Sequence, residues 1–387
     1  MFNNTDINFN ILRQRAYNLR WATVENGVIP LTAADPDFPS APQISEAIQR
    51  FAADRYYCYG PPEGLPDFKE SIAHFYTEKR AVAAEAQFSF PVDSAAYGIF
   101  LTCKSFLQAG DQAIIFDPVD FLFRYSVEAL NAEAIPFAIP PGTDMVDFSG
   151  MEKLITPRTK LICLCNPLNP TGKVFSAEEL TLLGEIAIKH DLIILSDEIW
   201  SDIVFAPSKY TSIASLSEEI RKRTVIVTGF SKSYGLAGLR IGAVIAPNYL
   251  IFNQLIHSSL HQSTIHGVSV LSQLAATTAL NECSEWLTGF VDHLSKMRDL
   301  VVGQLNSIEG FKCISPEGCY VAFANIRDTG QTSQEIHDLI LRKAKVSVVP
   351  GLKQWFGDGA EGYIRLSFAT SEDILKESLT RIKEVFR

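Results

Sequence analysis

Lys232 lies in Thr228-Gly-Phe-Ser-Lys-Ser-Tyr-Gly-Leu-Ala-Gly-Leu-Arg-Ile-Gly242, after the apolar run Val225-Ile-Val227 and eight positions before Arg240. A lysine buried at a strand end near a second cation loses its proton readily, because burial and a like charge both disfavour the ammonium form. The neutral amine can then attack an aldehyde. Taken alone, the same residue reads as a surface lysine following a strand. Three further segments carry polar groups within or after apolar runs: Asn166-Pro-Leu-Asn-Pro-Thr-Gly172, Ser196-Asp-Glu198 and Tyr363-Ile-Arg-Leu-Ser-Phe368. Read singly, Asn169 belongs to a turn, Asp197 to a helix cap and Arg365 to the solvent face of a strand.

Residues so far apart in sequence act together only if the fold gathers them. The runs Ala113–Phe116, Leu161–Cys165, Leu192–Leu195 and Val225–Val227 read as short buried strands alternating with helical stretches. That pattern predicts an α/β fold, a mostly parallel central sheet with helices on both faces. Ligands on such sheets gather at the carboxyl ends of the strands, and here those ends carry Asp117, Asn166 to Gly172, Asp197 and Ser231-Lys232. Ser94 to Leu107 reads as a helix ended by Ala-Gly-Asp111. From about Glu285 the pattern changes to a long helix and then strands near Tyr320–Phe323 and Ile364–Phe368, the signature of a smaller α+β domain. The expected division is an N-terminal segment over 1–45 belonging to the small domain, a large domain over 46–284 and the small C-terminal domain over 285–387.

The 387 residues are 47% hydrophobic and 20% charged, enough to bury a sizeable core. A net charge of -10 without a long Lys/Arg run argues against a nucleic-acid partner. No basic-then-apolar leader or membrane-length apolar stretch is visible, so a cytoplasmic protein with no membrane partner is expected. The seven cysteines suit neither a disulfide framework nor a zinc site, and no metal is expected. Cys163 and Cys165 should share one face of a buried strand.

Taken together, in this order and spacing, these motifs resemble the fold-type I pyridoxal 5′-phosphate (PLP) enzymes, the class I/II aminotransferase superfamily, along nearly the whole chain. The resemblance implies PLP as cofactor. Lys232 matches the lysine that holds it as a Schiff base and moves the substrate's Cα proton. Asp197 matches the carboxylate facing the pyridine nitrogen, and Asn169 the side chain bonded to the phenolic oxygen. Arg240 and Ser231 match phosphate ligands, joined by the backbone amides of Ser94, Ala95 and Ala96 opening a helix. Arg365 matches the arginine that grips the substrate α-carboxylate, a task suited to its planar fork. Tyr59, in Tyr-Gly-Pro-Pro-Glu-Gly64, matches a tyrosine reaching the phosphate of the neighbouring subunit, which implies a homodimer with shared sites.

Some positions depart from the family. Ser94 stands where a glycine is usual, and Gly229 replaces a serine or threonine three before the lysine. The place of the ring-stacking aromatic is taken by Asp120, which leaves Phe121 as the stacking candidate. Trp200 replaces a tyrosine; its indole N–H can donate to the phenolic oxygen but cannot act as acid or base. Ala33-Ala-Asp-Pro-Asp-Phe-Pro39 resembles the entry segment of the MalY/PatB subgroup, which includes cystathionine β-lyases. The expected activity is amino transfer between an L-amino acid and a 2-oxo acid, with C–S β-elimination as the alternative. A non-catalytic PLP-binding protein is the remaining reading. Phe38, Phe121 and Trp200 suggest an apolar or aromatic pocket wall.

Overall fold

The computed structural model describes residues 2–387. Its strands are β1 (Ile29–Pro30), β2 (Ser89–Val92), β3 (Gln112–Asp117), β4 (Glu133–Ala138), β5 (Thr159–Cys165), β6 (Ile193–Asp197), β7 (Thr224–Gly229), β8 (Gly242–Ile245), β9 (Lys312–Cys313), β10 (Val321–Asn325), β11 (Val346–Ser347), β12 (Val349–Pro350) and β13 (Tyr363–Ser367). Seven of them form the central sheet, in the order β2-β8-β7-β6-β5-β3-β4. β8 runs antiparallel to both neighbours and the other pairs are parallel. β3 and β7 are buried at every position. Strands covered on both faces have no solvent side, which is why they read as continuous apolar runs.

The chain leaves β3 outward for β4 at the sheet edge, then returns on the other side of β3 as β5. Connections on either side of that reversal diverge and open a crevice at the strand ends. Asp120 follows β3 and Asn169 follows β5, so both lie at the crevice. The four strands expected from the sequence are present, each within two residues of its predicted bounds.

The helix Ala95–Phe106 packs across the sheet. Ser94 caps it by accepting the Tyr97 amide (3.1 Å). Gly98 lets it sit close, since a Cβ there would come within 2.7 Å of Val227. The helix ends earlier than Ala-Gly-Asp111: Leu107 is already extended, and Gly110 at φ 87° turns the chain into β3.

A 22-residue helix, Ser284–Leu305, precedes the antiparallel sheet β12-β13-β10-β9. β1 pairs in parallel with β11, Ile29 beside Val346. This pairing brings the N-terminal segment beneath β13. One core cluster fills the central sheet and its helices, with Phe116, Leu161 and Val225 at its heart. A second joins Leu31 and Phe38 to the long helix and to Ile364 and Leu366 of β13. Each such side chain contributes roughly 1.5–3 kcal/mol on burial. Phe38 belongs wholly to this second core, edge-on to Phe2 and His293, and is not part of the pocket wall expected of it. Its ring is packed among the aromatic rings of Phe2, Phe290 and His293, and burial there outweighs exposure to the crevice. No described helix is long and apolar enough to cross a membrane.

Candidate active site

A cavity of about 780 Å³ opens at the carboxyl ends of β3, β5, β6 and β7. Ser94, Ala95, Ala96, Phe121, Asn169, Asp197, Trp200, Ser231, Lys232, Arg240 and Arg365 all line it. Tyr59 does not. It is 91% exposed and meets His266 edge-on.

Lys232 enters the cavity from the turn after β7. Its Nζ donates to the Ala34 carbonyl (2.6 Å) and lies 5.5 Å from the centre of the Trp200 ring. Burial is the main cause holding its pKa below the ordinary lysine value, and Arg365 adds to this, while Asp35, Asp120 and Asp197 oppose it. Asp197, ending β6, is buried and accepts the Ile199 amide (3.1 Å). Burial, reinforced by Asp120 and Glu198, pushes its pKa up to about 7. A carboxylate so placed is stabilised by a cationic partner.

Arg365 is buried in β13 rather than on a solvent face. Its Nη1 donates to Asn169 Oδ1 (3.2 Å), its Nη2 to the Thr32 carbonyl (3.0 Å), and the guanidinium stacks over Phe356 at 5.1 Å. Its buried Nε has no hydrogen-bond partner. Asn169 in turn donates from Nδ2 to Asp120 Oδ2 (2.8 Å). Trp200 is buried edge-on to Tyr320 at 4.7 Å, and the Tyr320 hydroxyl donates to the Ala34 carbonyl (3.2 Å).

At the other end of the cavity, the amides of Ala95 and Ala96 open a helix, a ready anion site. Gly242 permits this approach, because a Cβ would fall 2.9 Å from the Ala95 nitrogen. Arg240 adopts a left-handed φ of 51°, unusual for a side-chain-bearing residue, and holds a half-exposed guanidinium 3.9 Å from Asp93. Gly229 leaves Ala95 in ordinary contact, a Cβ there meeting it at 3.4 Å. Phe121 is half-buried, edge-on to Tyr125 (5.5 Å) and Trp355 (5.6 Å). Cys165 reaches the cavity beside Asp197, its thiol pKa raised well above normal by burial, whereas Cys163 lies beside Cys103.

Several lining or supporting residues escape the sequence reading. Tyr320 reads there only as the start of a strand, and Trp355 and Phe356 carry no motif. Asp35 falls within the Ala33–Pro39 segment, and the effect of its charge on Lys232, whose amine is bonded to the adjoining Ala34 carbonyl, could not be read from any spacing.

The donors fit PLP. A helix N-terminus with an arginine suits a phosphate, a buried carboxylate of raised pKa suits a protonated ring nitrogen, and a desolvated lysine suits an aldehyde. Known structures share the fold. The aromatic aminotransferase of Pyrococcus horikoshii OT3 superposes with a TM-score of 0.87 at 28% identity, covering 94% of this chain and 96% of that one. Cystalysin from Treponema denticola, whose structure contains a pyridoxal 5′-phosphate cofactor, shares the fold at a TM-score of 0.91 and 24% identity, over 100% of this chain and 99% of that one. Fold and donor set together define a fold-type I PLP-dependent enzyme.

The family described as aminotransferase class I and II matches residues 26–382, and the chain belongs to it. An aspartate aminotransferase of Pyrococcus abyssi is 32% identical over 368 residues, 93% of this chain and 92% of that one. Another, from Geobacillus stearothermophilus, is 31% identical over 364 residues, 92% and 90% of the two chains. The protein is a PLP-dependent transaminase.

Proposed function

We propose that this aminotransferase takes an amino acid with an uncharged apolar or aromatic side chain and passes its amino group to a 2-oxo acid. The balance of charge in the cavity carries this reading. A second substrate carboxylate needs a cation, yet Lys232, Arg240 and Arg365 are each committed below, and His337 Nδ1 is bonded to the Val348 carbonyl at 2.8 Å. Asp120 adds a further carboxylate. The remaining wall has no further charge: the apolar Leu19, Phe121, Leu352, Trp355 and Phe356 stand beside uncharged polar residues such as Thr23, Gln334 and Gln354. Relatives named for aspartate and for aromatic amino acids both exist, and this lining favours the aromatic kind.

In this reading Lys232 binds the cofactor and carries the proton from Cα, a task its lowered pKa serves. Asp197 faces the ring nitrogen. Asn169 and Trp200 donate to the phenolic oxygen, and Phe121 covers a ring face. Arg240, the Ser231 hydroxyl and the Ser94, Ala95 and Ala96 amides hold the phosphate. Arg365 grips the substrate α-carboxylate and fixes the direction of the Cα–H bond. When bound, PLP supplies an electron-withdrawing ring that accepts the electron pair left at Cα. Two chains form a homodimer, each offering Tyr59 to the other's phosphate. The exposure of Tyr56, Tyr57 and Tyr59 on one segment supports such a face. The absence of disulfides among the described residues fits a cytoplasmic setting.

The test is a panel of amino acids added to PLP-loaded protein without any oxo acid. Loss of the cofactor's visible band in one stoichiometric turnover, fastest with large apolar or aromatic amino acids, is expected. Aspartate outpacing all of them would overturn the substrate class. Pyruvate accumulating over many turnovers would replace transamination with β-elimination.

A further inference from the structure

We propose that Asp120 is a positioning residue of this site: it pins the Asn169 amide in one orientation and, through it, the Arg365 guanidinium. The proposal rests on the roles given above to Asn169 and Arg365.

Asp120 and Asn169 are tied twice. The Asp120 amide donates to the Asn169 carbonyl (3.1 Å), and Asn169 Nδ2 donates to Asp120 Oδ2 (2.8 Å). An asparagine amide has a donor end and an acceptor end of nearly the same shape, and only its partners decide which way it faces. A carboxylate can only accept, so it claims Nδ2. A guanidinium can only donate, so Arg365 Nη1 takes Oδ1 (3.2 Å). The row Asp120–Asn169–Arg365 thus has a single polarity, with a charged group strengthening the bond at each end. Arg365 is left with Nη2 on Thr32 and an unpartnered Nε.

Capping explains only half of the Asp120 side chain. Its Oδ1 accepts the Leu122 amide (3.2 Å) at the start of the Phe121–Glu128 helix, a job that serine or asparagine does as well. The second oxygen is the one turned to Asn169. An aromatic ring at this position could cover a cofactor face but could not orient an amide. The charged and titratable groups acting on Asp120 are Arg365 and Lys232, and its own charge is felt by Asp197 and Cys165.

Two variants separate the roles. Asp120→Ser keeps a capping oxygen but is too short to reach Asn169. Asp120→Asn keeps size and cap but must present either its one oxygen to the cap or to Asn169, not both. Each should raise KM for the amino acid roughly tenfold with a smaller change in kcat. Each should also shift the pH midpoint of the cofactor's visible band. In an Asn169→Ala background the Asp120→Ser change should add little, because the partner it orients is gone. Folded variants with the wild-type KM and band titration, or effects that simply add to those of Asn169→Ala, would overturn the proposal. Should Asp120→Ser not fold, Asp120→Asn decides by the same readouts. A wild-type protein whose cofactor reacts with no amino acid would instead defeat the reading beneath it.

Discussion

Lys232 and Tyr320 share one acceptor, the Ala34 carbonyl, at 2.6 and 3.2 Å. The lysine therefore rests against the N-terminal segment, and the tyrosine holds that carbonyl in place from β10's approach. Lys232→Ala should abolish the cofactor's covalent attachment and slow the half-reaction about a thousandfold or more. Tyr320→Phe should leave attachment intact and cost about 1 kcal/mol of stability. Absorbance spectra and thermal unfolding of the two variants check both.

Asp197 gives the cofactor-free protein a recognisable pH dependence. Its folded pKa of about 7 lies above its unfolded value near 3.8. Between those values the folded state keeps a proton that the unfolded state releases, so this group's contribution to stability falls as pH rises from about 4 to 7. Thermal midpoints of cofactor-free wild type and Asp197→Asn should diverge across that window, with the wild type losing ground at the higher pH. Parallel curves would show that Asp197 titrates normally.

Removing the guanidinium from a buried strand position should be felt in substrate binding. Arg365→Leu is expected to lower kcat/KM about a hundredfold, the scale of losing one partner from a buried charge pair. Arg365→Lys should recover only part, because a lysine has no fork. Steady-state kinetics against several amino acids checks whether the loss is the same for all, as an α-carboxylate contact requires.

The edge-on pair Phe121 and Trp355 forms an apolar wall. Trp355→Ala should reduce kcat/KM for aromatic amino acids about tenfold or more while sparing alanine, since only large side chains reach that wall. Competition between phenylalanine and alanine gives the ratio directly.

The parallel strands were legible in the sequence because strands buried on both faces leave uninterrupted apolar runs, and their polar ends mark the crevice. Lys232, Asn169, Asp197 and Arg365 were legible by motif, and all four line one cavity. Phe38 was misread, since an aromatic beside a motif looks the same in sequence whether it faces a ligand or a core. Asp120 was visible only as a missing aromatic. Its bond to Asn169 spans 49 positions and depends on β3 and β5 being neighbours across the reversal in strand order. Tyr320 and Trp355 carried no motif: Trp355 lines the cavity from a short helix and Tyr320 supports it through Trp200 and the Ala34 carbonyl, contacts that only tertiary packing creates.

The bond from Arg365 to the Thr32 carbonyl spans 333 positions. Together with the β1–β11 pairing, it means that both ends of the polypeptide must be in hand before the crevice is complete. A nascent chain lacking β13 holds every strand of the seven-stranded sheet but not Arg365, the residue proposed to grip the carboxylate. Competence for turnover therefore arrives late in folding, after the long-range closures that are slowest to form. Substrate-dependent bleaching of the bound cofactor would serve as a clock for that final step.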